Sequence, residues 1–458
     1  MKKLLSVVLS ALVAVSSLTL FACGEQGEKV DNTKEQLYVN VLECGVGFDF
    51  INSLKQNFER EYAERDFGNG KKGVQIMITN TRVDGDTITS ALAGGGTDVF
   101  YVANMDLSEF VKLGDGTNPV SEYLEDITDV VTDGGENSIE AKLFDTEKDY
   151  YNVSSVKGSP RYFALPWFSS LSGGLVYDVG LFKEKHLFPN DPESEVVYKG
   201  LDGIAGTEDD NYGPNGKTGV IDGVDYSFDD NLPATWSDFD ALIEEMKAID
   251  VTPFCFTNLD DYTTAYLYAL WASYEGKSNV ELLKTFNGEY RYRNESGEVE
   301  TLAITESNGY ETAYQNGKKA AVSVAEKIVK GKHYEDQCFY SSTDNIKAQK
   351  LYLGSKAGMY QGVKPIAFLM EGVWWENEAK DYFGEIAGRK GESYAYGTRE
   401  FGIMPTPKFE GDDFVPRQVD YESSTLTFGS AKVSQYGSSV FINKKSERKD
   451  LAKLFLKY

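Results

Sequence analysis

The spacing of apolar residues predicts alternating strands and helices in the first part of the chain. Between Phe50 and Tyr62, apolar residues recur at the helical period and so occupy one face of a predicted helix. The other predicted elements in this region are, as strands, Leu37–Leu42, Val74–Ile78 and Asp98–Val102 and, as a helix, Asp86–Leu92. This order of elements implies a parallel sheet with right-handed crossovers.

A second α/β segment is predicted in the middle of the chain. Gly174–Tyr177 has the composition of a buried strand. Thr235 and Asp238 form a capping-box pattern that opens a helix, and this helix ends before Pro253. Pro253–Phe256 is predicted to be another buried strand. The chain should therefore contain at least two α/β lobes.

The loops that follow the predicted strands are the expected ligand-binding positions. In open α/β sheets, ligands bind beyond the carboxyl ends of the strands. Three loops of this chain meet that description: Glu43–Phe48, Ala103–Asp106 and Asn258–Tyr262.

The N-terminus has the organisation of an export signal. Two basic residues precede the uncharged apolar run Leu4–Phe21, and a small residue, Ala22, precedes Cys23. This pattern resembles a bacterial lipobox, in which the cysteine is acylated and becomes the new N-terminus; the alternative is an ordinary secretory signal with an incidental cysteine. We expect residues 1–22 to be a signal peptide and 23–36 a polar tether, so that the protein is exported and lipid-anchored at the outer face of the cell membrane.

Charge and cysteine content narrow the possible partners. The formal charge is −26, and removal of Lys2 and Lys3 with the signal peptide would take it to −28. Such a chain repels nucleic acid and anionic lipid and favours neutral or cationic ligands.

The three cysteines after Cys23 are widely separated in sequence: Cys44, Cys255 and Cys338. Their spacing indicates neither a disulfide framework nor a zinc site, so buried free thiols are the favoured interpretation.

Six short segments of the chain match known motifs: Thr97–Phe100, Leu124–Asp129, Tyr162–Pro166 with Gly174–Asp178, Ala357–Met359 with Glu371–Trp375, Phe401–Pro407, and Ser446–Leu456. In the same order, they resemble the patterns "PDV", "LxDLTD", "YxLP…GLxYN", "AAM…GxWxW", "GxxPxP" and "SKxxxxAxxFL". These patterns are motifs of the carbohydrate-binding, maltose-binding-protein-like family 1 of extracellular solute-binding proteins of ABC importers, which the chain therefore resembles. Thr97 stands where the family pattern has proline.

The resemblance implies an α/β, two-lobed fold of the periplasmic-binding-protein type II, with an interlobe cleft and hinge crossings near Leu165–Leu171 and Leu426–Val440. The implied N-terminal lobe is 37–168 with 436–458, and the C-terminal lobe is 169–435 with an acidic insertion at 199–232. Because the family normally continues beyond "AxxFL", we expect the C-terminus at Tyr458 to be truncated. The implied partners are a carbohydrate and the permease of an ABC importer with a separate ATPase, and a monomer is expected.

Aromatic and polar side chains supply the candidate sugar contacts, because aromatic faces match the C–H patches of sugars and carboxylates or amides match their hydroxyls. The resemblance places a sugar-stacking tryptophan at Trp374. Trp375 and Trp167, which lies at the first crossing, are further candidate ligand contacts. Core packing is the alternative for all three tryptophans. The polar candidates are Ser169 beside that crossing, Glu43 and Asn104 after strands, and Asp260 and Tyr262 in a stretch that carries sugar ligands in the family.

The stretch Asp202–Asp230 is rich in carboxylates and glycines. Asp202, Asp209 and Asp210 bring hard oxygen donors into a glycine-turned loop, which suits Ca²⁺. The alternative is a disordered acidic loop that keeps the surface soluble. No other cofactor is expected.

The sequence offers little for catalysis. His186 and His333 are its two histidines, and neither lies in a nucleophile or zinc motif. A glycosidase needs only two carboxylates, so a secreted glycosidase remains the rival hypothesis. A peptide, polyamine or anion is the alternative solute for the same fold. We predict a non-enzymatic receptor that binds a sugar for import.

Overall fold

The structure is a computed structural model. It describes residues 28–458 except for 43–44, 69, 84, 104, 115–117, 155, 157, 169, 173, 190, 199–219, 222–223, 226–231, 234–235, 258–259, 295, 297, 405, 408–432 and 436–437. The described residues divide into two compact units. Unit 1 takes its residues from within Met1–Leu42, Phe48–Trp167 and Gly437–Tyr458, and unit 2 takes its residues from within Glu43–Gly47 and Phe168–Tyr436.

Unit 1 is built on a five-stranded mixed sheet with the strand order β2-β1-β3-β17-β6. Its strands are β1 (Glu35–Val41), β2 (Val74–Thr79), β3 (Val99–Val102), β6 (Leu165–Pro166) and β17 (Ser439–Ile442). β1 pairs in parallel with both β2 and β3, which confirms the parallel sheet predicted from the first three strands. β17 pairs antiparallel with β3 and β6, so a strand from the end of the chain lies inside this sheet.

Helices cover the sheet of unit 1 through their apolar faces. The helix Asp49–Glu61 buries Ile51 and Phe58, as its apolar period predicts, and the helix Lys449–Lys457 buries Phe455 against Phe58, with ring centroids 5.2 Å apart. The expected truncation after this last helix stays a prediction. The remaining helices of unit 1 are Gly85–Gly94, Leu107–Phe110, Thr128–Thr132, Ile139–Lys142 and Asp145–Tyr151, with a 3₁₀ turn at Gly135–Asn137 and the short strand pair β4 (Lys112–Leu113) and β5 (Pro119–Val120).

Unit 2 is built on a four-stranded mixed sheet with the order β11-β14-β8-β15. Its strands are β8 (Gly174–Asp178), β11 (Thr252–Cys255), β14 (Ile366–Glu371) and β15 (Phe401–Met404). β14 is parallel to β11 and antiparallel to β8, and every residue of β14 is buried. The predicted strands at Gly174–Tyr177 and Pro253–Phe256 are thereby confirmed.

The helix Trp236–Ala248 begins next to the predicted capping box and buries its predicted apolar face, which includes Phe239 and Met246. The other helices of unit 2 are Val179–Glu184, Asp260–Glu275, Lys277–Thr285, Asn316–Lys330, Asn345–Lys356, Trp375–Glu378 and Lys380–Lys390, with 3₁₀ turns at Gly309–Tyr314, Asp336–Phe339 and Glu392–Tyr394. Three strand pairs complete the unit: β7 (Ser170–Ser172) with β16 (Val433–Gln435), β9 (Val220–Ile221) with β10 (Val224–Asp225), and β12 (Gly288–Arg293) with β13 (Val299–Ile304).

A buried ion cluster fixes the end of β8. Asp178 is 1% exposed, caps the helix Val179–Glu184 through Leu181 N, and is paired with Lys356 at 3.2 Å and with Arg399. Burial opposes ionisation of this carboxyl, but Arg399, followed by Lys356, holds the pKa of Asp178 below its ordinary value.

In the part of the chain that the structure describes, no helix is long and apolar enough to cross a bilayer.

Candidate ligand-binding site

Two adjacent tryptophans follow β14 and have opposite environments. Trp374 is half-buried at the start of the helix Trp375–Glu378. Trp375 is 2% exposed, and its ring packs against Phe401 at a centroid distance of 4.8 Å and against Tyr352 at 5.7 Å. The helix therefore directs Trp375 into the core of unit 2 and leaves Trp374 at its surface.

Trp374 lines a cavity within unit 2 that has a volume of about 420 Å³. A volume of this size lies in the range of small-molecule sites. The cavity combines aromatic rings with a carboxylate and an amide, and its lining residues are Gly45, Val46, Phe168, Val373, Trp374, Glu376, Asn377 and Tyr396. Such a lining can pack against an apolar ligand face and also bind hydroxyl groups.

Two glycines make room for the Trp374 indole. A Cβ atom at Gly45 would lie 2.3 Å from Trp374 Cδ1, and a Cβ atom at Gly372 would lie 2.4 Å from Trp374 Cη2. The Asn377 side-chain amide donates to the Gly45 carbonyl oxygen at 2.6 Å, which ties this loop to the helix that carries the tryptophan. The indole position therefore depends on the small size of both glycines.

A layer of buried polar side chains lies behind Trp374. The Tyr262 ring contacts Trp374 with a centroid distance of 6.0 Å, and the Tyr262 hydroxyl donates to the Glu371 carboxylate. Gln349 donates from Nε2 to Glu378 at 2.8 Å and to Glu371 at 3.3 Å. These contacts connect the last residue of β14 to the tryptophan of the cavity through one tyrosine ring.

Burial raises the pKa of the carboxyl groups in and beside this layer. Burial, together with the neighbouring Glu378 carboxyl, raises the pKa of Glu371 to about 8, even though Gly372 N donates to its Oε1 at 3.1 Å. Burial also raises the pKa of Glu378 and that of Glu376, which lines the cavity. The Tyr262 hydroxyl has a raised pKa for the same reason, with the Glu371 carboxylate adding to the rise. With a pKa of about 8, Glu371 keeps its proton at neutral pH.

The structure brings together two of the predicted ligand contacts, Trp374 and Tyr262. Trp375 lies in the core of unit 2, the alternative that the sequence left open for it. Trp167 belongs to unit 1, where its indole N–H donates to the Val102 carbonyl oxygen at 2.8 Å and its ring stacks on Phe50 at 5.3 Å. The prediction of these four residues as ligand contacts remains untested.

Other predicted site residues lie outside the described part of the chain: Glu43, Asn104, Ser169, the lipidation candidate Cys23, and the calcium candidates Asp202, Asp209 and Asp210. Asp260 is the first residue of the helix Asp260–Glu275, but the structure does not describe its side chain. Among the described residues, no group of three His, Cys, Asp or Glu side chains is placed to hold a metal ion. The calcium site stays a prediction.

Several residues of the cavity were missed by the sequence reasoning. Glu376 and Asn377 follow the tryptophan pair within one helical turn, which is a local signal that could have indicated them. Tyr396 has no comparable signal, because it reaches the cavity from the segment after the helix Lys380–Lys390. Gly45 and Val46 belong to the loop Glu43–Phe48, which the sequence did indicate as a ligand-binding loop.

Comparison with solved structures shows similarity at low sequence identity. RafE from Streptococcus pneumoniae in its apo form is 14% identical with a TM-score of 0.48, over 94% of this chain and 77% of that one. A chitin oligosaccharide binding protein is 13% identical with a TM-score of 0.48, over 92% and 76% of the two chains. A probable secreted solute-binding lipoprotein from Streptomyces coelicolor is 11% identical with a TM-score of 0.48, over 93% and 78%.

The sequence comparisons settle the family. A search of curated protein sequences gave no match. The family profile described as "Bacterial extracellular solute-binding protein" matches residues 52–458, which is most of the chain. This match confirms the family resemblance and the fold class predicted from the six motifs, and members of the family are binding proteins. The chain belongs to the family of bacterial extracellular solute-binding proteins.

Proposed function

We propose that this protein is the sugar-binding component of an ABC importer, anchored to the outer face of the cell membrane by a lipid on Cys23. The observation that carries the proposal is the position of Trp374. Its indole lies against two glycines and lines a cavity that also contains Glu376 and Asn377. Family membership supports a role in solute capture, and the chemistry of the cavity supports a sugar as the solute.

Sugars suit this cavity because they are amphipathic. One face of a pyranose ring presents C–H groups that pack on an aromatic ring, and its rim presents hydroxyls that donate to carboxylates and amide oxygens. Trp374 and Tyr396 offer the aromatic surface, while Glu376 offers acceptors. The formal charge of −26 also disfavours an anionic solute.

In this proposal the protein performs no catalysis and binds no nucleotide. It delivers its sugar to a permease that is powered by a separate ATPase. A peptide or polyamine is the alternative solute, and hydrolysis of the bound glycan is the alternative activity. Both alternatives are distinguished by measurement.

The test is calorimetric titration of the mature protein with a panel of neutral mono- and oligosaccharides, peptides and polyamines. Each glycan is then incubated with the protein and analysed for cleavage products. We expect reversible binding of at least one sugar, with that sugar recovered intact. Hydrolysis of the sugar would replace the proposal by a glycosidase, and binding confined to peptides or polyamines would replace the solute class.

The lipid anchor has its own test. Cys23→Ala removes the thiol that would be acylated, so metabolic labelling with a fatty acid should be lost and the protein should stay unprocessed or be released. Cys44→Ala is the matched control and should retain the label. Unchanged labelling of the Cys23 variant would contradict the anchor.

A further inference from the structure

Two cysteines that are far apart in sequence lie in contact inside unit 2. Cys255 ends β11, and Cys338 lies in the 3₁₀ turn Asp336–Phe339. The two residues are separated by 83 positions, both are fully buried, and their sulfur atoms are 3.7 Å apart. The thiols are free in the structure, which agrees with the interpretation drawn from the sequence. The sequence did not indicate their contact.

The backbone around the two sulfurs is fixed by hydrogen bonds. Phe254 N donates to the His333 carbonyl oxygen at 2.9 Å, and Glu335 N donates to the Phe254 carbonyl oxygen at 3.0 Å. Phe256 N donates to Cys338 Sγ at 3.4 Å, and Cys255 Sγ donates to the Ala348 carbonyl oxygen at 3.5 Å. The segment that carries Cys338 is thus aligned along β11 on both sides of Cys255. The contact between the sulfurs follows from this alignment.

We propose that Cys255 and Cys338 form a disulfide bond in the exported protein. Members of the family are extracellular, and disulfides form and persist in oxidising compartments. Side-chain rotation has to bring the sulfurs from 3.7 Å to the bonded distance of about 2.05 Å.

The reaction is a thiol–disulfide exchange. Both S–H bonds break, one S–S bond forms, and the two electrons and two protons reduce a disulfide oxidant to two thiols. The oxidant is a thiol–disulfide oxidoreductase or a low-molecular-weight disulfide. The hydrogen bond between the thiols, together with burial, raises the pKa of Cys255, so the reactive thiolate is scarce in the folded protein. The bond should therefore form while unit 2 folds.

The bond would close a covalent loop of residues 255–338, and this loop includes the helix Asp260–Glu275, which carries Tyr262. It would hold the segment before Phe339 on the edge strand β11 of the unit 2 sheet. Cross-links that close long loops restrict the unfolded chain and so stabilise the folded one. We therefore expect reduction to lower the melting temperature of the mature protein.

Peptide mapping identifies the bond directly. The reduced, unfolded mature protein is refolded in a buffer of reduced and oxidised glutathione, alkylated with N-ethylmaleimide and digested with trypsin. Trypsin releases Ala248–Lys277 and His333–Lys347, and each of these peptides contains one cysteine. We expect a single linked species that separates into the two peptides on reduction. Recovery of both peptides with the maleimide attached, or linked to the peptide of Cys44, would overturn the proposal.

A melting experiment checks the same bond without digestion. Addition of a reductant should lower the melting temperature of the refolded wild type by roughly 5–10 °C. The double variant with Cys255→Ala and Cys338→Ala should melt at the same temperature with and without reductant. An equal response of wild type and double variant would contradict the bond between these two residues.

Discussion

The rings of Tyr262 and Trp374 lie 6.0 Å apart, with their planes inclined at 45°. Tyr262 therefore supports the Trp374 indole from one side, and the hydrogen bond from its hydroxyl to Glu371 anchors it to the end of β14. Trp374, the side chain proposed to contact the sugar, thus packs against the Tyr262 ring. Tyr262 is positioned in turn by its hydrogen bond to the buried Glu371 carboxyl group.

Trp374→Ala should weaken sugar binding by roughly ten- to a hundredfold, since a stacked aromatic ring contributes on the order of 1–3 kcal/mol by analogy with stacked bases. Loss of the half-buried Trp374 ring should lower the free energy of unfolding less than loss of the Trp375 ring does. Trp375→Ala is the matched comparison and should lower the free energy of unfolding by about 3–5 kcal/mol. Calorimetric affinity and the urea midpoint are measured for both. Unchanged affinity in Trp374→Ala would contradict the placement of the sugar-binding site at Trp374.

Gly45→Ala should lower affinity by displacing the Trp374 indole. The added Cβ atom would lie 2.3 Å from Trp374 Cδ1, so either the ring or the loop has to move. Gly384→Ala is the control, because a Cβ atom meets nothing within 4 Å at this exposed helical position. We expect about a tenfold loss of affinity at Gly45, on the scale of 1.4 kcal/mol per tenfold change, and none at Gly384. Equal affinities for the two variants would contradict the role of Gly45.

Glu371→Gln should make the protein more stable at neutral and alkaline pH. The pKa of Glu371 rises from 4.5 to about 8 on folding, so between these values the folded state keeps a proton that the unfolded chain has lost. The free energy of unfolding of the wild type therefore falls as pH rises through this window, by at most about 1.4 kcal/mol per pH unit from this group.

The difference between Glu371→Gln and wild type should consequently increase from pH 5 to pH 8 in urea denaturation. Glu306→Gln, at an exposed position of unit 2, controls for the loss of one carboxylate and should show a constant difference. A constant difference for Glu371→Gln as well would mean that the buried carboxyl ionises at its ordinary pH.

Asp178→Asn should destabilise unit 2 by about 3–5 kcal/mol at pH 7, because Arg399 and Lys356 would lose their buried carboxylate. Asparagine retains the helix cap, so the change isolates the charge. The pKa of Asp178 is lowered in the folded state, so its stabilisation is present above pH 3.8 and is lost as pH falls through its folded pKa. Urea midpoints should therefore converge with those of wild type in strong acid.

The control for Asp178→Asn is the exposed ion pair Asp250–Lys364, whose charged atoms are 2.6 Å apart. Asp250→Asn should lower the free energy of unfolding far less than Asp178→Asn does, since solvent screens an exposed pair. A similar effect of the two substitutions would show that burial does not strengthen the Asp178 cluster.

Local sequence patterns predicted the strands and helices of this protein, but they predicted few of its tertiary contacts. The parallel strands β1, β2 and β3 and the helix Trp236–Ala248 follow from apolar spacing, because each repeats the period of its own element. The loop Glu43–Phe48 was indicated by its place after β1. These predictions needed no knowledge of which distant segments meet.

The site required contacts that no local period encodes. Trp374 and Trp375 are neighbours of one residue type, and the turn after β14 decides which of them is buried. Tyr396, Gln349 and the Cys255–Cys338 contact come from segments far apart in sequence. Only the packed sheet and its helices bring these segments together, so sequence reasoning could name the tryptophan pair, Tyr262 and the loop Glu43–Phe48 but not the other residues around them.

The position of β17 has a consequence for the order in which this protein can fold. β17 lies between β3 and β6, and the Asn443 side chain after it donates to the Leu92 carbonyl oxygen across 351 positions of sequence. Until the ribosome has added this strand, β3 and β6 lack the neighbour that joins them. Long-range pairing of this kind also forms slowly. The sheet of unit 1 therefore cannot be completed until β17 has been synthesised, which suits a member of an extracellular family.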